Sequence, residues 1–172
     1  LRAIISNLEK DVARRPKDIA TRLQLALSYM RLAERDQARE HLEKVIELDK
    51  RNVEAHYYLG ILLADSGDLE EAKRFWMKTV SLDKSHAPSH YFLGKVCAYE
   101  GDLDAAIAHT EKSRDADPGN VLARAQLGEL YLAKGRIRDA LNEWLEVLKL
   151  EPANLQALHN VGAIYTDLKM YD

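Results

Sequence analysis

The sequence predicts an all-α solenoid built from helix–turn–helix repeats of 34 residues. Three observations predict it. Gly60, Gly94, Gly128 and Gly162 stand 34 residues apart, and Gly67, Gly101 and Gly135 keep that interval in a second phase. Ala38, Ala72, Ala106 and Ala140 form a third series, and Pro118 and Pro152 share a fourth with Pro16 three periods earlier. Within each period apolar residues recur at three- and four-residue spacing, as on helix faces, and no segment alternates as a strand does.

Taken in order, residues 1–18 match the second half of a unit, with Leu1 in phase with Leu69 and Leu103. Full units follow at 19–52, 53–86, 87–120 and 121–154. Residues 155–172 match a first half, with Tyr171 returning to the phase of Leu1. The expectation is one array over 1–172, cut mid-unit at both ends, and thus a piece of a longer chain. In 53–66, Ala55, Tyr58, Leu59, Leu62 and Leu63 mark the first helix. Gly67-Asp68 breaks it, as Gly101-Asp102 and Gly135-Arg136 do later. In 69–82, Leu69, Ala72, Trp76, Val80 and Leu82 mark the second helix. The prolines Pro118 and Pro152 fall between units, where no helical N–H is lost.

Glycine inside a helix costs about 1 kcal/mol relative to alanine. Gly60, Gly94, Gly128 and Gly162 therefore imply a helix approaching closely, and the alanine series is expected to supply the small surface facing them. Ala26 holds that glycine phase in the first full unit. One unit cannot bury both of its stripes alone, so neighbours stack and the core runs along the array.

Composition narrows the function. Of 172 residues, 47% are hydrophobic and 31% charged, and 25 Lys and Arg against 28 Asp and Glu give a net charge of -3. No basic excess points to nucleic acid. The one cysteine, Cys97, excludes an internal disulfide and a thiolate metal cluster. No apolar run reaches the roughly 18 residues of a spanning helix, so direct membrane insertion is not expected. A cytoplasmic location is the default, and an exported or membrane-anchored parent is compatible with the same residues.

At these positions the pattern resembles the tetratricopeptide repeat (TPR) family over the whole chain. Leu59-Gly60, Leu93-Gly94 and Leu127-Gly128 match its Leu-Gly pair, with Val161-Gly162 as a variant. Its following tyrosine appears as Tyr29, Tyr131 and Tyr165, replaced by Leu63 and Cys97. Its small residue is Ala38, Ala72, Ala106 and Ala140, and its bulky successor is Leu42, Trp76 and Trp144. The resemblance implies a right-handed α-α superhelix whose first helices line a concave groove. His56 and His90 depart from the family where it often carries tryptophan. Segment 103–116 departs further, with Thr110, Ser113 and Arg114 where the next unit has Trp144, Val147 and Leu148. This helix is expected to be the least protected of the interior, with Arg114 snorkelling or finding a partner.

No catalytic constellation is present, and neither enzyme activity nor a cofactor is expected. His86 and His90 are four residues apart, as metal ligands on one face would be, but no third ligand accompanies them and Pro88 intervenes. The preferred reading is that His86 caps the turn and His90 packs in the core. His41, His56, His109 and His159 stand alone. Cys97 is expected to be a buried structural thiol. No serine sits in a nucleophile elbow and no glycine-rich loop opens a helix for phosphate.

The groove remains. Its lining is expected to include Leu23, Leu27, Met30 and Arg31, then Tyr57, Tyr58, Ile61 and Asp65. It continues with Tyr91, Phe92, Lys95 and Tyr99, then Ala125, Gln126, Glu129 and Ala133, and ends with Gln156, His159, Asn160 and Ala163. Tyr58, Phe92 and Tyr99 are the aromatics least expected from the family pattern. Some relatives clamp a chaperone tail with lysine, asparagine and arginine at set phases. Those phases here carry Leu23, Leu27, Tyr58, Pro88 and Phe92, so that reading is disfavoured. The leading expectation is a scaffold that binds a peptide or helix of a partner protein. The alternatives are a homo-oligomer joined through bare repeat ends, where Leu158, Ile164, Tyr165 and Leu168 would be partly exposed, and the docking arm of a larger enzyme or regulator.

Overall fold

The computed structural model describes residues 1–169, with side chains described through Asp167. Tyr171 and the side chain of Leu168 lie outside the described residues. Those residues form ten α-helices and no strand. The helices are α1 (Arg2–Arg14), α2 (Ile19–Arg31), α3 (Arg35–Leu48), α4 (Val53–Asp65), α5 (Leu69–Leu82), α6 (Ala87–Tyr99), α7 (Leu103–Ala116), α8 (Val121–Ala133), α9 (Ile137–Leu150) and α10 (Leu155–Lys169). They fall into two compact units, Leu1–Lys84 with α1 to α5, and a second beginning at Ser85 with α6 to α10. The architecture is an all-α helical-repeat solenoid.

Helix ends follow the sequence period. Asp18, Asn52, His86, Asn120 and Asn154 accept from the backbone N–H three residues on, at 2.9 to 3.2 Å, and so start each first helix. His86 therefore caps its helix, through Nδ1. First helices end where the chain turns left-handed, at Gly67, Gly101 and Gly135 with φ of 89°, 84° and 71°. The N–H after each glycine returns to the carbonyl of Leu63, Cys97 or Tyr131 at 2.8 to 2.9 Å, closing a Schellman turn. Ala33 holds the same phase at φ 58°, with Glu34 N–H bonded to Tyr29 O at 3.0 Å.

In the first unit each helix packs on its chain neighbour around Ile5, Leu25, Leu42, Val45, Leu59 and Leu62. Burying a side chain the size of Leu42 contributes about 1.5–3 kcal/mol. The glycine of α4 meets the indole of α5: a β-carbon on Gly60 would lie 2.4 Å from Trp76 Nε1. That nitrogen donates to Tyr57 O at 3.3 Å. At Gly60 the facing surface is thus the bulky residue four positions beyond the alanine and not Ala72 as expected, whereas over Gly94 the carbonyl of Ala106 does approach, at 3.2 Å. Tyr29 reaches from α2 to α1, donating to Glu9 at 2.6 Å, and stacks on His41 with ring centroids 5.7 Å apart.

The second unit repeats the scheme with one substitution. Trp144 of α9 covers Gly128 of α8 at 2.5 Å from the β-carbon position. Over Gly94 the corresponding residue is only Thr110, whose Oγ1 lies 2.2 Å from that position and donates to Ala106 O at 2.7 Å. Ser113, fully buried, donates to Ala87 O at 2.8 Å. The polar core phases of α7 are therefore all engaged. Arg114 finds a partner rather than snorkelling: Nη1 donates to Glu143 at 2.6 Å and Nη2 to Asp115 at 2.8 Å. Glu143 also accepts from Arg124 at 2.8 Å. Burial works against the Arg114 charge, but its bonds to Asp115 and Glu143 outweigh it and raise the pKa. On α10, Leu158 and Tyr165 are about half-exposed, but Ile164 is buried against the second core and is not bare as expected.

Candidate functional site

Each unit presents a hollow on the side of its first helices. In the first unit, Leu27, Met30 and Arg31 of α2 and Tyr58 of α4 enclose about 280 Å³. The Tyr57 and Tyr58 rings lie 5.0 Å apart, tilted by 56°, and burial raises the Tyr57 pKa. Ile61 is half-buried beside them in the sequence. Leu23 belongs elsewhere: it is 9% exposed and packs in the first core, so it leaves the expected groove.

In the second unit a larger hollow of about 460 Å³ lies among α6, α8 and α10. Helix α6 contributes Tyr91, Lys95 and Ala98; α8 contributes Leu122, Ala125, Gln126, Glu129, Leu130 and Ala133; α10 contributes Gln156. The Tyr91 and Phe92 rings meet edge to face at 5.4 Å, and Lys95 Nζ sits 5.7 Å from the Tyr91 centroid. Burial, and then the Glu129 carboxylate, raise the Tyr91 pKa. Glu129 accepts from Gln156 Nε2 at 2.7 Å. Asn160 turns back along α10 to donate to Gln156 O at 2.9 Å. His159 is exposed and Tyr99 is 81% exposed; neither lines the hollow.

Ala98, Leu122 and Leu130 line the hollow without being among the groove residues that helical phase nominates. Leu122 had a signal: its phase carries Glu54, Pro88 and Gln156, so a leucine there is out of pattern and 62% exposed.

His56, His86, His90 and His109 bond within the helices and between them, and Cys97 is buried. His90 is 3% exposed, and its Nδ1 lies 3.0 Å from Nδ1 of His109, so His109 is not alone. His56 Nδ1 lies 2.8 Å from Asn52 O, within α4's own first turn. Cys97 is buried at 5% exposure. Among the described residues no group of three or more His, Cys, Asp or Glu side chains is arranged to hold a metal ion. No helix among them is long and apolar enough to cross a membrane.

Paired helices with aromatic hollows on their first-helix side define a helical-repeat scaffold for protein–protein interaction. More particularly, the chain belongs to the tetratricopeptide repeat family, whose models match residues 23–72 and 98–163. Such arrays are generally non-catalytic. Among solved structures it is similar to YrrB, described as a TPR protein with an unusual peptide-binding site. There the identity is 21% and the TM-score 0.81, covering 94% of this chain and 84% of that one. It is similar to MamA at 28% identity and TM-score 0.75, covering 86% of each chain. TTC0263, a thermophilic TPR protein of Thermus thermophilus, aligns at 22% identity and TM-score 0.67, covering 94% of this chain and 89% of that one. No curated protein sequence matches this chain.

Proposed function

We propose that the chain binds a peptide or helical segment of a partner protein on its first-helix hollows. The contact residues are Leu27, Met30, Tyr57, Tyr58 and Ile61 in the first unit. In the second they are Tyr91, Lys95, Gln126 and Glu129 in the hollow, with Phe92, Tyr99, His159 and Asn160 on α6 and α10 outside its lining. That residues 1–172 act as one array is part of this proposal. One observation carries it: each unit has a hollow walled by an aromatic ring, apolar side chains and a cation, with Tyr58 and Arg31 in one and Tyr91 and Lys95 in the other. This is the composition of surfaces that anchor peptides.

The test is capture of a partner on the immobilised chain, followed by groove variants. Tyr58→Ala with Tyr99→Ala weakens a groove-bound partner by about tenfold or more while circular dichroism stays unchanged. Unchanged affinity places the contact elsewhere.

A second reading is self-association. Leu155 and Leu158 on α10 are 81% and 49% exposed, Tyr165 is 46% exposed, and Ile4 on α1 is 55% exposed. Light scattering across a concentration series decides it: a mass that grows with concentration supports association, and a constant monomer overturns it.

A further inference from the structure

We infer that His90 and His109 form a proton-operated latch between α6 and α7, closed while at most one of the two imidazoles is charged and opened when both are. The latch goes beyond the binding reading above and stands without it.

The repeat period isolates this pair. The fourth residue of each first helix meets the residue 19 positions on, in the second helix of the same hairpin. Arg22 Nη1 lies 3.4 Å from His41 Nδ1, the His56 and Phe75 rings lie 6.0 Å apart, and Arg124 Nη1 donates to Glu143 at 2.8 Å. Each of those pairs has a member that does not titrate near neutrality. The α6–α7 hairpin alone among the four sets two histidines against each other, with Nδ1 of His90 3.0 Å from Nδ1 of His109.

At that distance one nitrogen donates and the other accepts. Two neutral rings satisfy this, and so do one imidazolium and one neutral ring. Two imidazoliums set two N–H groups and two like charges face to face. His90 is 3% exposed and His109 half-buried, so water screens the repulsion poorly. The first hairpin shows the same effect: burial, and then the Arg22 charge, lower the His41 pKa.

The charges around the pair are largely committed. On α6, His86 is held at Nδ1 by the Ser89 N–H. On α7, Glu111 is bonded to Tyr131, and Arg114 to Asp115 and Glu143, while Lys112 is exposed and Ser113 is neutral. Helix α8, packed on α7, spends Arg124 on Glu143 and Pro118 O. Asp83 and Lys84 precede α6 in the chain.

The second proton therefore binds the unfolded chain more readily than the folded hairpin. The contribution of the latch is complete above the ordinary histidine value of about 6.5 and is lost as the pH falls below it. Helix α7 should show the loss first, because its core phases carry Thr110 and Ser113 where α9 has Trp144 and Val147. Tyr91 and Lys95 stand on α6, so an open latch loosens one wall of the hollow.

The experiment follows the ring signals of the histidines and amide exchange along 103–116 in the full chain, from about pH 8 to about pH 5. Each protection factor is taken relative to α9 at the same pH. The His90 and His109 rings should titrate in separate steps. Relative protection of α7 should fall by about tenfold, the change that follows when the second protonation is displaced by one pH unit. His90→Arg with His109→Glu rebuilds the Arg124–Glu143 pair and should hold protection level. His109→Phe rebuilds the His56–Phe75 pair, should also hold it level, and keeps the test if the double variant does not fold. Two rings that titrate together at the ordinary value overturn the inference. So does level protection in the parent chain, or an acid loss that persists in either folded variant.

Discussion

Thr110 Oγ1 lies 2.2 Å from the point where a β-carbon on Gly94 would stand, held there by its bond to Ala106 O. The same glycine phase therefore answers to three different neighbours. Gly94→Ala gains up to about 1 kcal/mol in helix propensity but forces Thr110 aside, and overpacking of this kind costs about 1–3 kcal/mol. We expect a net loss of about 1 kcal/mol, recovered when Thr110→Ala is combined with it. Gly128→Ala should cost more, because the Trp144 indole 2.5 Å away is fully buried and has nowhere to go. At Gly162, with nothing within 4 Å among the described residues, alanine should instead stabilise by about 1 kcal/mol. Urea denaturation of the single variants and the Gly94/Thr110 double-mutant cycle checks all four values.

Ala33 is the one residue of its phase that carries a β-carbon in left-handed backbone, at φ 58°, where Gly67, Gly101 and Gly135 stand elsewhere. That conformation costs an L-residue about 1–2 kcal/mol, partly offset by the greater freedom a glycine loses on folding. Ala33→Gly should therefore stabilise the chain by up to about 1 kcal/mol. A rise in melting temperature with unchanged helical signal meets the expectation, and a fall contradicts it.

Much of this fold was legible because the period constrains residues one at a time. A glycine at 60, 94 or 128 has few uses inside a helix except close approach, and the turn glycines mark left-handed backbone that few side chains tolerate. What the period hid was which partner fills the space. The spacing shows that Ala72 and Trp76 share a face, but only packing shows that the indole, not the methyl, meets Gly60. Arg114 looked like a defect because its partner, Glu143, lies on another helix 29 residues on. The hollow was half legible for a similar reason. Helical phase nominated Tyr91, Lys95, Gln126 and Glu129, but Leu23 shares the phase of Tyr57 and Tyr91 and still turns into the core. A phase fixes a direction on the helix, whereas burial depends on the size of every neighbour.

Glu143 holds two guanidiniums, Arg114 at 2.6 Å and Arg124 at 2.8 Å, and its side chain is only 9% exposed. Glu143→Gln keeps the shape but removes the charge that both arginines face. One Nη1 then faces the amide NH2 in place of an acceptor, and its guanidinium keeps only the second bond, Arg114 to Asp115 or Arg124 to Pro118 O. We expect a loss of about 3 kcal/mol, the scale for breaking a buried pair from one side. The exposed pair Arg39–Glu43, with both side chains 51% exposed, is the control, and Glu43→Gln should cost less than about 1 kcal/mol. Equal losses for the two variants in urea denaturation would show that burial does not set the value.

Two tyrosines tie stability to alkaline pH by the same geometry in different units. Tyr29 donates to Glu9 and Tyr131 to Glu111, each at 2.6 Å. Ionising either phenol replaces that bond with two facing anions. For Tyr29 the bond to Glu9 is the main cause, followed by burial, and the pKa rises from 10.0 to about 12. For Tyr131 burial leads and the bond to Glu111 follows, also reaching about 12. A phenol whose pKa is raised on folding binds its proton more tightly in the native state. Its contribution is therefore complete below pH 10 and is lost as the pH climbs from there toward 12. The melting temperature should accordingly fall across that window, and tyrosinate absorbance should rise late for these two rings. Tyr29→Phe lowers stability at neutral pH, because Glu9 loses its donor, and flattens the alkaline decline. If Tyr29→Phe and Tyr131→Phe together leave the decline as steep as in the parent chain, other groups cause it and the two phenol–carboxylate bonds do not.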